Sequence, residues 1–158
     1  MYPGALELVR DFVNSYDVEE DRDEIESWLG EHGLDVPPRE AVRVREAIRE
    51  LLLANNGLPA DVAGATRVLD AAARRSRLAV RFVDGGVAVA AGEGLGVVLR
   101  ALAEAMSSPD WPRLKACRAE TCHWAFVDRA RNRSRAWCSM SVCGNRRKAQ
   151  RFRERHAS

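Results

Sequence analysis

Apolar residues recur at helical spacing almost from the start of the chain. Ala5, Leu8, Val9, Phe12, Val13 and Tyr16 predict a first helix that ends near residues 14–16. The acidic stretch DVEEDRDEIESWLGEHGL predicts a short second helix. There Ile25, Trp28 and Leu29 face inward, Asp21 or Asp23 stands near the start, and Gly30 or Gly33 ends it. The clearest helix lies in VPPREAVRVREAIRELLLANNG. Pro38 suits its first turn, Ala41, Val44, Ile48, Leu51 and Leu52 form the stripe, and Asn55, Asn56 and Gly57 stop it. A fourth helix, from Asp61 to about Arg75, carries Val62, Ala65, Leu69 and Ala72. The period then changes to two. Leu78, Val80 and Phe82 alternate, Asp84-Gly85-Gly86 makes a tight turn, and Val87 and Val89 open a second strand, which predicts a β-hairpin. A fifth helix carries Leu95, Val98, Leu99, Leu102 and Met106 and stops before Pro109. Residues 1–110 thus read as a mainly helical unit with one hairpin. Residues 111–158 read as a second, smaller unit, and the fold class is α+β.

Length and charge sharpen this division. The 158 residues suit one ordinary domain, or one with a small module. No stretch approaches the roughly 18 apolar residues of a membrane span. The start MYPGALELVRDF lacks a basic segment followed by an apolar run, so no signal peptide and a cytoplasmic location are the expectations. The formal net charge of +2 hides an asymmetry. Residues 1–112 hold 12 Lys and Arg against 20 Asp and Glu, and residues 113–158 hold 13 against 3, together the 25 and 23 of the whole chain. Two units with different partners are the expectation.

All four cysteines lie in the basic part, as C-x4-C-x15-C-x4-C at Cys117, Cys122, Cys138 and Cys143. Zinc takes four ligands tetrahedrally and favours thiolates in structural sites. Two close pairs separated by a hairpin-length spacer suit one such ion. The alternatives are four free thiols or two disulfides. Four sulfurs close the coordination sphere, so the metal would be structural. It would contribute on the order of 10 kcal/mol to a segment too short to build its own core. HWAFVD reads as a strand, RARNRS as a turn and RAW as the returning strand. Cys138 then ends that strand, and Cys143 lies in the first turn of the last helix with Ser141 as its N-cap. Knuckle, hairpin and helix make a treble-clef-like finger, with Trp124, Phe126 and Trp137 as a small core. His32, His123 and His156 receive no role.

The last segment is helical in pattern. Arg147, Arg151 and Arg155 follow one another at i, i+4, with Lys148 beside them and Arg146 opening the run. Ala149, Phe152 and His156 fall on another side, which is expected to pack against the finger. Like charges at this spacing destabilise an isolated helix, and a polyanion removes the repulsion. The turn adds Arg129, Arg131, Arg133 and Arg135. Arginine's planar fork suits phosphate and guanine edges, so a DNA-binding surface is the expectation. RNA binding and a solvated basic tail remain the alternatives.

The stretch RLKAC…TCHWAFVDRARNRSRAWCSMSVCGNRRKAQRFRER resembles the CGNR zinc-finger family, whose signature stands here as Cys143-Gly144-Asn145-Arg146. The part before it, through DFVNSY and VREAIRELLLANNG, is similar to the ABATE domain that precedes that finger. The resemblance implies bacterial transcriptional regulators in which the finger binds DNA and the ABATE domain senses an unknown small-molecule effector. It also implies that the four cysteines are the zinc ligands. Members of that family often have Ser where Ala130 stands and Gly where Arg133 stands, which leaves the turn around Asn132 without that glycine.

No catalytic motif competes with this reading. GEGLG at residues 92–96 lacks the spacing and the βαβ context of a dinucleotide loop, and no P-loop lysine, H-E-x-x-H or G-x-S-x-G is found. The expectation is a zinc-dependent DNA-binding transcriptional regulator and no enzyme. The runner-up is a protein-interaction adaptor with a purely structural zinc module. Asn14, polar on an apolar helix face, is the one candidate pocket residue, or else a helix-terminal cap.

Overall fold

A computed structural model describes residues 4–90 and 92–157. Along the chain run α1 (Ala5–Val13), β1 (Tyr16–Asp17), β2 (Arg22–Asp23), α2 (Ile25–Glu31), α3 (Pro38–Asn55) and α4 (Val62–Arg75). There follow β3 (Ala79–Val83), β4 (Gly86–Ala90), α5 (Gly96–Met106), β5 (Leu114–Ala116), β6 (Ala125–Val127) and α6 (Asn145–His156). The strands form three separate antiparallel pairs, β1–β2, β3–β4 and β5–β6. This is the expected α+β class, ending in a helix behind the cysteines.

The ends of the helices follow from local chemistry. Pro38 opens α3, where a missing N–H leaves no bond unmade, and Gly57 ends the turn behind it at φ +72°. The Asp61 carboxylate caps α4 by accepting from the Gly64 N–H at 2.8 Å. The stripes meet in one core. Val9, Phe12 and Val13 of α1, Val44, Ile48 and Leu52 of α3, and Val98 and Leu99 of α5 are all buried. α3 packs along α4, and α1 packs along α5.

Two cations share that core. Arg45 and Arg49 lie one helical turn apart on α3 and are almost fully buried. Arg45 grips Asp23 with two nitrogens, at 2.7 and 2.9 Å, and lies over the Tyr16 ring. Arg49 donates to the Val13 carbonyl at 2.9 Å, satisfying an end that α1 leaves open, and to the His123 carbonyl at 2.8 Å.

The cysteine-bearing segment is rooted in the helical body. β5 and β6 pair in the register Leu114↔Val127, Lys115↔Phe126 and Ala116↔Ala125. Leu114, Ala116 and Ala125 belong to the main core and pack against α3 and α1. This corrects the strand reading. The partner of 125–127 is the segment ahead of Cys117, and RAW forms no strand. Burying Leu114 and Ala116 against α3 draws that segment into the pairing, and the knuckle between Cys117 and Cys122 closes the hairpin.

Candidate metal centre and basic surface

The four sulfurs converge. All four Sγ atoms lie within 4.8 Å of one another, and the thiols are free. Cys122 and Cys138 are 3.7 Å apart, and Cys138 and Cys143 are 3.6 Å apart. Zn–S bonds of about 2.3 Å at tetrahedral angles place sulfurs about 3.8 Å apart. The donor set and its spacing therefore fit one zinc ion with a closed, structural sphere. Trp124 and Trp137 pack against buried Cys117, Cys122, Phe126 and Cys143, as the aromatic pattern predicts.

Local backbone geometry places each ligand. Cys117 follows β5 directly and donates its N–H to the Trp124 carbonyl, and the Cys122 N–H donates to the Ala119 carbonyl to close the knuckle. His123 follows at φ +50°, so it leaves the turn in the left-handed region and is no strand residue. Cys138 and Cys143 are one residue too far apart for an α-helical face. A π-helical turn over Met140–Gly144 resolves this, closed by the Gly144 N–H on the Ser139 carbonyl at 3.0 Å. Cys143 thus sits in that turn, ahead of α6. Ser141 makes no capping bond, and its hydroxyl meets that of Ser139. A Cβ on Gly144 would stand 2.9 Å from Met140 Sδ and Cε, the far end of a flexible, exposed side chain that can move aside.

The thiols titrate as one cluster. Hydrogen bonds from Cys122 and Cys138 push the Cys117 thiol down to about 2. The bond to Cys117 pushes Cys138 up to about 12, Cys122 rises for the same reason, and burial pushes Cys143 up. The cluster favours one thiolate and resists a second. A divalent cation replaces the remaining protons.

The helical unit holds both halves of the cage. The Asn14 side chain pairs with the Ala125 backbone in both directions, at 2.9 and 2.8 Å. Asn14 is also the C-cap of α1. Buried Asn56 donates to Ala116 and Ala136, next to the first cysteine and near the third. Arg118 returns two bonds to the Asn56 carbonyl. With Arg49 on His123, these are three polar clamps across the hinge.

A buried ion pair fixes the arginine-rich loop. Lys115 Nζ lies 2.7 Å from Asp128 Oδ2 and also donates to the Arg133 and Arg135 carbonyls. Asp128 further accepts from the Ala130 and Arg135 N–H groups. Burial would raise its carboxyl, but Lys115 and these donors hold it below the usual carboxylate range. Arg113 adds two bonds, to the Asp128 and Ala130 carbonyls. Lys115, Asp128, Arg113 and Arg49 did not stand out in the residue pattern, and Asn56 stood out only as a helix stop. The available signal is Asp128 itself, a lone acid between Glu120 and Glu154 in a cationic stretch.

The basic residues divide accordingly. Arg135 turns inward: it donates to the Trp137 and Cys138 carbonyls and lies over the Phe126 ring. Arg129 and Arg146 are exposed but face acids of the helical unit, Glu7 at 3.9 Å and Glu19 respectively. Arg131, Arg133, Lys148, Arg151 and Arg155 are exposed, and Arg147 is half-buried; none of these side chains has an acidic partner among the described residues. Arg133 keeps the turn at φ +54°, a conformation that glycine reaches without strain. α6 has no buried residue. Phe152 is 56% exposed and stacks only on His156, so the expected apolar packing onto the finger is not made.

Comparison with known proteins places these features. A family model described as the CGNR zinc finger matches residues 113–156. A second, the ABATE model, described as "Putative stress-induced transcription regulator", matches residues 6–109. A comparison with curated proteins finds no match. The chain therefore belongs to the ABATE family and carries a CGNR zinc finger behind that domain.

Proposed function

We propose that this chain is a zinc-dependent, DNA-binding transcriptional regulator. Residues 111–158 act as the DNA-binding unit and residues 1–110 as the regulatory unit. The observation that carries this is α6, a 12-residue helix with no buried side chain and a run of unpaired cations, anchored at one end to a thiolate cage. A short helix of like charges without a core is marginal in water. Phosphates relieve its repulsion and supply the missing contacts. Arg131, Arg133, Arg147, Lys148, Arg151 and Arg155 are the proposed contacts. Arg129 and Arg146 join when DNA displaces Glu7 and Glu19, and Arg135 acts by shaping the loop from inside. An α-helix about 10–12 Å wide fits the major groove of B-DNA, whereas the major groove of A-form RNA is too narrow for side-chain readout. This favours DNA over RNA. Four reduced thiols fit a reducing, cytoplasmic compartment. No helix among the described residues is long and apolar enough to cross a membrane.

A small-molecule effector has a place to act. A cavity of about 620 Å³ lies between α1, α2 and β6 and is lined by Asn14, Trp28, Trp124, Phe126, Arg129 and Cys138. A molecule bound there touches the cage as well as the helical unit. The Asn14 amide gives one N–H and one oxygen lone pair to Ala125, which fixes its orientation in the cavity wall.

The test is fluorescence anisotropy of the zinc-loaded chain with duplex DNA and RNA across a salt series. With about five phosphates neutralised, log K falls with log[salt] at a slope of about −4 to −5 on duplex DNA. A flat response, or equal binding with and without zinc, would overturn the proposal and leave the adaptor reading.

A further inference from the structure

One of the four cage sulfurs faces open space. Cys117, Cys122 and Cys143 are buried, and Cys138 is half-buried. Of the four, Cys138 alone lines the cavity of about 620 Å³ between α1, α2 and β6. That volume lies within the range of small-molecule sites. Three flat aromatic side chains, Trp28, Trp124 and Phe126, share the walls with the sulfur. The charges on the walls are mixed, Arg10 and Arg129 against Asp11, Glu24 and Glu31. Arg10 already pairs with Asp11 at 2.8 Å, and Arg129 faces Glu7 at 3.9 Å. Neither sign dominates, so a ligand of strong net charge gains little there. A flat, uncharged molecule with hydrogen-bond acceptors suits these walls: its rings stack on the aromatics and its acceptors meet the guanidinium N–H groups.

We propose that Cys138 is a modification site for uncharged, planar electrophiles of the quinone class, and that its modification opens the zinc cage. This rests on the reading of the cavity as an effector site and names the chemistry of the effector. A cysteine held in a zinc cage is a thiolate, the nucleophilic form of the side chain. The Cys138 sulfur adds to a ring carbon of the quinone C=C bond. An S–C bond forms, and the π pair moves onto the conjugated carbonyl oxygen. That oxygen takes a proton from water, and the hydrogen of the attacked carbon passes to the second oxygen. The product is a hydroquinone thioether, and no further oxidant or reductant is needed. Arg10 and Arg129 are the N–H donors on the walls for the oxygen that gains charge.

The position of Cys138 makes the step consequential. Its sulfur stands 3.7 Å from that of Cys122 and 3.6 Å from that of Cys143. A thioether carries no negative charge and is a poor zinc ligand, so three thiolates are left where a closed sphere needs four. Losing Cys138 uncouples the knuckle from the π-turn over Met140–Gly144 that carries Cys143 and leads into α6.

Treatment of the reduced, zinc-loaded full chain with substoichiometric para-benzoquinone tests this. Peptide mass mapping reads the adducted residue, and a colorimetric chelator reads the released zinc. The first adduct is expected on Cys138, at least about tenfold faster than on any other cysteine, with zinc released in proportion to the adduct. Ser27→Trp, which fills the cavity from an exposed position on α2, is expected to slow the adduct by about tenfold. Glu26→Trp, exposed on the same helix but outside the cavity lining, leaves the rate unchanged. Should Ser27→Trp fail to fold, Glu31→Trp takes its place, and the mapping on wild type depends on neither. A first adduct on Cys117, Cys122 or Cys143, zinc retained by the Cys138 adduct, or a rate that the cavity-filling variant leaves intact overturns the proposal. Hydroquinone has the same shape and cannot add. Calorimetric binding of hydroquinone with no Cys138 adduct from the quinone overturns the electrophile proposal and leaves the effector reading standing. No DNA enters the measurement, so its outcome is also separate from that of the DNA-binding reading.

Discussion

Replacing Asp128 by asparagine removes one negative charge from a site closed to water. The Asp128 side chain is 0% exposed and that of Lys115 is 7% exposed. The two carboxylate oxygens accept three bonds: from Lys115 Nζ at 2.7 Å, the Ala130 N–H at 2.9 Å and the Arg135 N–H at 3.0 Å. Asparagine keeps one acceptor and turns an amide donor toward other donors. The Lys115 ammonium then stays buried with only the Arg133 and Arg135 carbonyls for company. Leaving one partner of a buried ion pair unpaired costs about 3–5 kcal/mol. At about 2–4 °C per kcal/mol for a chain of this size, Asp128→Asn lowers the midpoint of thermal unfolding by about 6–20 °C. Calorimetry on the zinc-loaded protein at pH 7 measures it. A double variant, Lys115→Met with Asp128→Leu, removes both charges and is expected to lose less than the sum of the single losses, by about 1–3 kcal/mol. Duplex binding at low salt weakens in Asp128→Asn as well, because the loop bearing Arg129, Arg131 and Arg133 loses its pin. A stability loss below about 1 kcal/mol, or strictly additive single losses, would refute the assignment of the Lys115–Asp128 pair as the support of that loop.

Four further outcomes follow from the same geometry. Arg133→Gly relieves a left-handed arginine at φ +54° and is expected to raise the unfolding midpoint by a few degrees, for about 1 kcal/mol, while weakening duplex binding at low salt; a lower midpoint would count against the turn geometry. Glu19→Gln frees Arg146 and is expected to tighten binding to random duplex by a factor of about two at low salt and to have no effect at high salt, read by anisotropy titration. Chelation of zinc is expected to abolish the near-ultraviolet dichroism of Trp124 and Trp137 while most far-ultraviolet helical signal survives, because α1 to α5 have their own core; a spectrum untouched by strong chelation would exclude the metal as the organiser of the finger. Asp23, hydrogen-bonded by Arg45, and Asp128 both sit below the usual carboxylate range. Their stabilisation is therefore complete above an unfolded-state value of about 4 and is lost as pH falls through their lower folded values, so an acid titration of stability steepens below about pH 4 in wild type and less so in Asp128→Asn.

How far the sequence led depended on whether a signal was local. The five helices of the ABATE domain and the β3–β4 hairpin were legible because each carries its own period and its own stop residue. The cysteine spacing announced the cage for the same reason, since four thiolates in two close pairs admit few other uses in a reducing compartment. The pairing within the finger was not legible. RAW lies near HWAFVD along the chain, which favoured it as a partner, but Leu114 and Ala116 win the position because α3 and α1 bury them. A three-residue strand has too short a pattern to show this in advance. Arg45 and Arg49 were equally hidden. Helical periodicity assigns cations to the wet face, and only the folded arrangement of Asp23, the Val13 carbonyl and the His123 carbonyl makes their burial favourable.

The failed expectation for Phe152 carries a consequence of its own. Trp124 and Trp137 pack against the buried cysteines and Phe126, and no side chain of α6 joins that cluster. The helix leaves the cage at Cys143 and projects with every residue accessible to solvent. Its rigidity then comes from one end, through the π-turn and the metal, and from whatever it binds. A helix packed on the finger would show a partner about half of its surface. One held only at its base offers its whole circumference, including the Arg147, Arg151 and Arg155 ladder, to a groove about as wide as itself. Lengthening the contact between α6 and the finger, for example by replacing exposed Arg153 with leucine, would add apolar surface without a pocket to fill. It is expected to leave stability unchanged within about 0.5 kcal/mol and to lower duplex affinity at low salt. A clear gain in stability from that change would show that α6 packs on the finger after all.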